Sequence, residues 1–184
     1  MYGLVNKGIR DLIIELRGPR AWTVIRQDAG VEYDDFKSLS TYPDKITYDL
    51  VGSASKHLGM EPNDVLRAFG KFWILYTAKA GYGPLMSLFG QNLKRCLINL
   101  NNMHGRMGAM MPNLVPPRFN FQEINEKEGL LFYHSERPGL MPMVLGLIEG
   151  LAEKFDEKVT VVIEQKTSSD QDGAPAAAVR ITWQ

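Results

Sequence analysis

The chain has 184 residues, and its 21 lysines and arginines balance 21 aspartates and glutamates, so its formal net charge at pH 7 is zero. This balance disfavours a nucleic-acid-binding protein, which needs excess basic residues to displace phosphate counterions, and it disfavours a basic membrane anchor. The single cysteine, Cys96, excludes an intramolecular disulfide and a thiolate-cluster metal site. We expect one domain, residues 1–184, in the cytoplasm, because neither a signal peptide nor an apolar run of about 18 residues is present.

The first two-thirds of the chain has the hydrophobic spacing of helices. The starts of five predicted helices lie near Leu4, Pro19, Leu50, Asn63 and Leu93. Asn63 is expected to cap the fourth helix, which would end at Gly81 before a turn over residues 81–84. The fifth helix is predicted to run unbroken past His104 to Met107.

The hydrophobic period changes after Pro117 to the alternation that is typical of strands. Two strands around residues 118–122 and 131–133 are predicted to form a hairpin with a loop at 126–129. A helix from Met141 to Phe155 follows, and strands at 159–165 and 176–183 are joined by a polar loop at 167–173. The fold class is therefore α+β, with helices followed by a β-β-α-β-β region that forms a four-stranded antiparallel sheet.

His104 lies on the apolar side of the fifth predicted helix, together with Cys96, Leu100 and Met107. A histidine in such a place is often a core residue bonded to a backbone carbonyl. It also has the surroundings of a single axial ligand to haem iron, which needs a neutral imidazole in an apolar wall. The sequence alone leaves both interpretations open. A zinc site with several histidines is disfavoured, because His57 and His134 are far away in sequence.

Tyr133, Ser135 and Arg137 alternate along a predicted strand, so their side chains are expected to project to the same side. Two hydroxyl groups beside a guanidinium suit a carboxylate or phosphate, since arginine offers a planar fork that matches two oxygens. An exposed polar strand that ends in the turn at residues 137–139 is the simpler alternative. An imidazole for iron combined with an anion clamp for propionates would satisfy the needs of a haem pocket.

Catalytic motifs are missing from the sequence. No serine lies in a nucleophile elbow, and the glycine pair Gly81-Tyr82-Gly83 lacks the third glycine of a nucleotide-binding loop. We therefore expect a protein that is not an enzyme.

Together these residues resemble the H-NOX (haem nitric oxide/oxygen binding) family, which includes the haem domain of soluble guanylate cyclase and stand-alone bacterial sensors. The resemblance covers nearly the whole chain, and its most specific part is Tyr133-x-Ser135-x-Arg137 with a histidine about 30 residues upstream. The other matching segments are residues 1–6, 47–51, 69–72 and 99–104.

The resemblance implies that haem b lies between the helical part and the sheet, with His104 as the iron ligand. It implies that Tyr133, Ser135 and Arg137 bind the propionates and that Pro117 presses on the porphyrin. The distal side would be lined by Val5, Trp73, Thr77, Met143 and Leu147.

The distal residues decide which gas is bound, because bound O₂ gains from a hydrogen-bond donor more than NO does. Oxygen-binding members of the family have a tyrosine where this chain has Met143, which has no donor. The resemblance therefore implies a sensor that binds NO and CO and discriminates against O₂. Trp73 is expected to pack in the core, although its indole N–H is a possible donor, as are the hydroxyls of Tyr76 and Tyr82.

The implied mechanism is that NO weakens the bond between iron and His104 and so releases the helix that carries it. A histidine kinase or cyclase-type partner would read the resulting change of shape. Two alternatives are a haem enzyme of the peroxidase or dioxygenase type and a non-haem binder of an acidic apolar ligand. The first needs a distal acid–base pair, which the implied distal residues do not supply.

Overall fold

The computed structural model describes residues 1–77, 90–169 and 175–184, without the side chains of residues 110, 165–169 and 175–176. The described helices are α1 (Gly3–Arg17), α2 (Pro19–Asp28), α3 (Asp44–Leu58), α4 (Pro62–Thr77), α5 (Leu93–Ile98), α6 (Leu100–Met110) and α7 (Met141–Lys154). The strands are β1 (Arg118–Asn125), β2 (Glu128–His134), β3 (Val159–Ser169) and β4 (Pro175–Trp183). All neighbours in the sheet order β1-β2-β4-β3 are antiparallel, which confirms the predicted α+β fold.

The predicted fifth helix was wrong as a single helix, because it is divided at Asn99 into α5 and α6. The Asn92 side chain caps α5 by accepting a hydrogen bond from the backbone nitrogen of Arg95, at 2.8 Å. Asn99 then has φ −94° and ψ 4°, outside the helical range, so the helix axis is interrupted there. Helices α5 and α6 are therefore separate elements, and both contact β1.

Other predicted boundaries also differ from those observed. Helix α4 begins at Pro62, a residue suited to the first turn, so Asn63 lies inside the helix rather than at its cap. Strand β2 begins at Glu128, which shortens the predicted loop at 126–129, and β3 continues through residues 167–169, which were assigned to a loop. The predicted helix end at Gly81 and the turn at 81–84 lie outside the described residues.

The apolar side chains form two large clusters. One fills the space among α1 to α4 and includes Ile9, Leu50 and Phe69. The other lies between the sheet and helices α5 and α7 and includes Leu97 and Ile148. The two clusters are therefore built mainly from different parts of the chain, the helical first part and the α+β second part.

Helices α4 and α7 join the two parts through a close backbone approach. A Cβ atom on Gly70 would collide with the carbonyl oxygen of Met143, and one on Gly146 would collide with that of Arg67. Only glycine permits this approach, because both obstructing atoms belong to the backbone. An ion pair between Arg67 and Glu149 spans the same contact on its exposed side. None of the described helices is long and apolar enough to cross a membrane.

Candidate functional site

A cavity of about 330 Å³ lies between the two parts of the fold. Its volume is within the range of about 300–1,000 Å³ that is typical of small-molecule sites. The helical part contributes Leu4, Ile9 and Phe69 to its wall, while the second part contributes Leu97 and Phe119. The structure also brings all ten predicted site residues to this wall, which are Val5, Trp73, Thr77, His104, Pro117, Tyr133, Ser135, Arg137, Met143 and Leu147.

His104 faces the cavity from α6, with Leu100, Met103 and Met107 of the same helix beside it on the wall. Its Nδ1 atom is buried and has no hydrogen-bond partner. Burial lowers the pKa of the imidazole, so the neutral form, which is the form that binds metal, is favoured at pH 7. The simpler sequence interpretation required a carbonyl partner for this ring, and for Nδ1 the structure provides none.

Phe119 holds the His104 ring from the side of the sheet. The two rings are stacked, with centroids 5.7 Å apart and planes inclined by 21°. Phe119 also contacts the Tyr133 ring across the strand pair β1–β2, at a centroid distance of 5.3 Å. The imidazole is therefore connected through one aromatic residue to the first member of the predicted anion clamp.

The expected strand alternation of Tyr133, Ser135 and Arg137 was wrong in detail, because β2 ends at His134. A local turn nevertheless keeps the three residues on one wall, since the backbone nitrogen of Arg137 donates to the Ser135 hydroxyl at 3.1 Å. Burial raises the pKa of the Tyr133 hydroxyl, although a hydrogen bond with Ser135 and the charge of Arg137 act in the opposite direction. Tyr133 is therefore a neutral hydroxyl near pH 7.

Arg137 is fixed by two partners that sequence reasoning missed. Its Nε donates to Asp44 Oδ2 at 2.8 Å, and its Nη1 donates to the carbonyl oxygen of Val115 at 2.8 Å. Asp44 lies at the start of α3, so this ion pair connects the helical part to the second part. No sequence signal indicates the pairing, because the two residues are 93 positions apart.

Asp44 also accepts a hydrogen bond from the Met1 nitrogen. Burial would raise the pKa of this carboxyl, but the hydrogen bonds from Met1 and Arg137 outweigh that effect and lower the pKa. The carboxylate is therefore charged at pH 7 and orients the Arg137 guanidinium. A guanidinium has five N–H donors, so donors remain beyond the two bonds just described.

The residues predicted for the distal side are packed against apolar neighbours or hydrogen-bonded to the backbone. Trp73 packs against the helical core and contacts Phe69 at a centroid distance of 5.6 Å, as expected of a core residue. The Thr77 hydroxyl donates to the carbonyl oxygen of Trp73 at 2.7 Å, which engages its single proton. Tyr76 stacks on Phe72 and is not among the described wall residues, and Tyr82 lies outside the described part of the chain.

The connection from α6 to β1 closes one side of the cavity, and Pro117 is half-buried within it. The described wall contains no carboxylate, and His104 is its one histidine. Within the described ranges, no group of three or more histidine, cysteine, aspartate or glutamate residues is arranged to hold a metal ion. The arrangement suits a largely apolar group that needs one nitrogen ligand and carries negative charge near Arg137.

Known proteins resemble this chain in sequence over most of its length. A family model described as haem-NO-binding matches residues 2–163. Soluble guanylate cyclase gcy-32 of Caenorhabditis elegans is 32% identical over 171 residues, which are 91% of this chain and 25% of the cyclase. For gcy-34 of the same organism the identity is 29%, with the same coverage of both chains. The chain thus spans about a quarter of the length of these curated relatives.

Solved structures share the fold over the whole chain. An H-NOX protein from Shewanella oneidensis in the Fe(II) state, a triple mutant, superposes with a TM-score of 0.88, at 19% identity and covering 96% of that protein. An H-NOX protein of the same organism in the Fe(II)NO state gives a TM-score of 0.87, at 20% identity and 99% coverage. At such identities the likeness establishes the fold alone.

The lowered pKa of Asp44 predicts a pH-dependent role in stability. Its contribution is present above the ordinary carboxyl pKa of about 3.9 and is lost as the pH falls through the lowered value. We expect Asp44→Asn to reduce the free energy of unfolding at pH 7 by about 1 kcal/mol, allowing for solvent screening. Denaturant titrations should show this deficit shrinking below about pH 4.

Asp49→Asn is the matched control, because it removes a carboxylate of the same helix that pairs with exposed Lys45. Asp49→Asn should reduce the free energy of unfolding at pH 7 by less than Asp44→Asn does. An Asp44→Asn deficit that stays constant from pH 7 to pH 3 would contradict the assigned role of the charge.

Proposed function

The chain belongs to the haem-NO-binding (H-NOX) family, and we propose on this premise that it is a sensor that holds haem b in the described cavity and binds NO and CO. We further propose that it discriminates against O₂ and signals to a partner protein without catalysis of its own. The family match over residues 2–163 supports the class of protein. The cofactor assignment depends on the residues of this chain.

The imidazole of His104, whose Nδ1 atom is buried, carries the proposal. Its Nδ1 lacks a hydrogen-bond partner, its pKa is lowered by burial, and it faces the apolar cavity. A buried polar group without a partner is costly in an ordinary core, so a ligand role accounts for its presence. We assign His104 as the iron ligand. Bound ferrous haem would supply an iron centre with one open position for a diatomic gas.

Tyr133, Ser135 and Arg137 are assigned to the propionates. Asp44 and the Val115 carbonyl hold the guanidinium in one orientation, so the remaining donors of Arg137 need no further ordering to bind an anion. Tyr133 is buried and Ser135 is half-buried, and each offers a hydroxyl on the same wall. Pro117, from the connection before β1, is assigned to contact with the porphyrin.

Discrimination against O₂ is inferred from the distal wall. Val5, Met143 and Leu147 have no hydrogen-bond donor in their side chains. Thr77 has one, but its proton is engaged by the Trp73 carbonyl oxygen. We assign the indole of Trp73 to packing against Phe69 in the helical core rather than to donation. Bound O₂ would then lack the stabilisation that a donor provides, whereas NO depends on it much less.

The partner is proposed to be a cyclase-type protein or a histidine kinase. The first possibility is favoured by the curated relatives, which are named soluble guanylate cyclases. His104 ties α6 to the occupant of the cavity, so we infer that a gas signal reaches the protein through this side chain. Release of the imidazole would free α6 to move against the rest of the fold.

The proposal is tested by absorption spectra of the purified ferrous protein. We expect an intense Soret band that shifts on addition of NO and of CO, and no stable O₂ complex in air. A protein without a Soret band would contradict the haem assignment and favour a binder of an acidic apolar ligand. Turnover of peroxide would favour a haem enzyme instead.

A second test addresses the distal wall. Met143→Tyr should raise O₂ affinity about tenfold, because one new hydrogen bond is typically worth close to that factor. Met143→Leu is the matched control, since it also changes the side chain but adds no donor. Gas titrations of the ferrous variants give the affinities, and equal O₂ affinity in the two variants would contradict the inferred basis of discrimination.

A further inference from the structure

Helix α6 carries His104 but is weakly packed along its length. Its described side chains, residues 100–109, are half-buried or exposed, and none is fully buried. Gly105 and Gly108 lie in its middle, where a Cβ atom at either position would meet nothing within 4 Å. Glycine is a poor helix former, so these two positions lower the intrinsic helix propensity of this stretch. Apart from the stacking of Phe119 on its ring, the position of His104 is therefore set by what holds the two ends of the helix.

The first turn of α6 is attached to the sheet by Asn101. Its Oδ1 accepts a hydrogen bond from the backbone nitrogen of Phe119 at 2.9 Å, and its Nδ2 donates to the carbonyl oxygen of the same residue. Phe119 lies in β1, an edge strand, so these backbone groups point away from β2. A carboxamide has one acceptor and donors in the geometry of a peptide group and therefore completes this edge.

The other end of α6 is attached to the helical part by Tyr2. Just beyond the helix, Met111 is buried and the backbone nitrogen of Asn113 donates to the Tyr2 hydroxyl at 3.1 Å. Tyr2 is itself buried and precedes α1, where it forms a backbone bridge with Thr41. The two ends of the helix are thus bound to different parts of the fold.

We propose that Asn101 and Tyr2 are positioning residues that fix the ends of the His104 helix to the sheet and to the helical part, respectively. A displacement of His104 then stretches and weakens both hydrogen bonds, the one between Asn101 and Phe119 and the one between Asn113 and Tyr2. This inference deepens the proposed function and rests on it. It assigns the transmission of the signal to two hydrogen bonds within the protein, whose residues Tyr2, Asn113 and Phe119 also lie on the cavity wall.

The backbone amides of Phe119 and Asn113 report on the two contacts directly, because each is the donor of one of these hydrogen bonds. Residue-resolved hydrogen exchange of the ferrous haem-loaded protein, with and without NO, is the test. In the wild-type protein NO should speed exchange at both amides by about tenfold, close to the factor that corresponds to one lost hydrogen bond.

Three variants separate positioning from general stability. Asn101→Ala should raise exchange at Phe119 without NO and abolish the NO response there, while the response at Asn113 remains. Tyr2→Phe removes one hydroxyl. It should raise exchange at Asn113 without NO and abolish the NO response there, while the response at Phe119 remains. Asn102→Ala, an exposed neighbour in the same helical turn, should leave both responses as in the wild type.

The outcomes distinguish this inference from the proposed function. An NO-induced change in absorption without faster exchange at either amide would overturn the positioning roles alone. The positioning roles would also be overturned if the NO responses of both amides persisted in Asn101→Ala and in Tyr2→Phe. Absence of any NO-induced change in the absorption of the wild-type protein would overturn the proposed function, and the inference with it.

Discussion

The two parts of the fold are held together first by the backbone contact between α4 and α7. Gly70 and Gly146 let the two helices approach until backbone meets backbone, and this joins a helical core to a core of sheet and helix. The cavity lies between these two cores, and both contribute to its wall. A larger residue at either glycine would separate the helices and change the shape of the cavity along with the packing.

Across the cavity the two parts are joined by polar contacts of modest individual strength. Arg137 pairs with Asp44, and the backbone nitrogen of Asn113 is bonded to Tyr2. Net contributions are about 0.5–1.5 kcal/mol for a neutral hydrogen bond and about 1.5–3 kcal/mol for one to a charged group, so these contacts can break and re-form without unfolding either core. Such a division between a fixed contact and breakable ones is what a two-state sensor requires.

The sequence was informative wherever local pattern determines structure. Hydrophobic spacing predicted the order of helices and strands, and Gly59 ends α3 in the left-handed conformation that glycine favours. The resemblance brought together residues as distant as Val5 and Leu147, which lie on one cavity wall. The break at Asn99 was missed because the apolar stripe continues through it, although the backbone does not. The partners of Arg137 were also missed, since an ion pair between positions 44 and 137 leaves no local pattern.

His104 is proposed to hold haem in the cavity, and the decisive measurement is the absorption spectrum of His104→Ala. The variant, expressed alone and with imidazole added, is compared with His57→Ala, which removes a histidine that pairs with Asp28 away from the cavity. If His104 binds the iron, we expect the Soret band of the wild type to be lost in His104→Ala, to return when imidazole replaces the side chain, and to persist in His57→Ala. A His104→Ala protein with the spectrum of the wild type, in the absence of imidazole, would contradict this assignment.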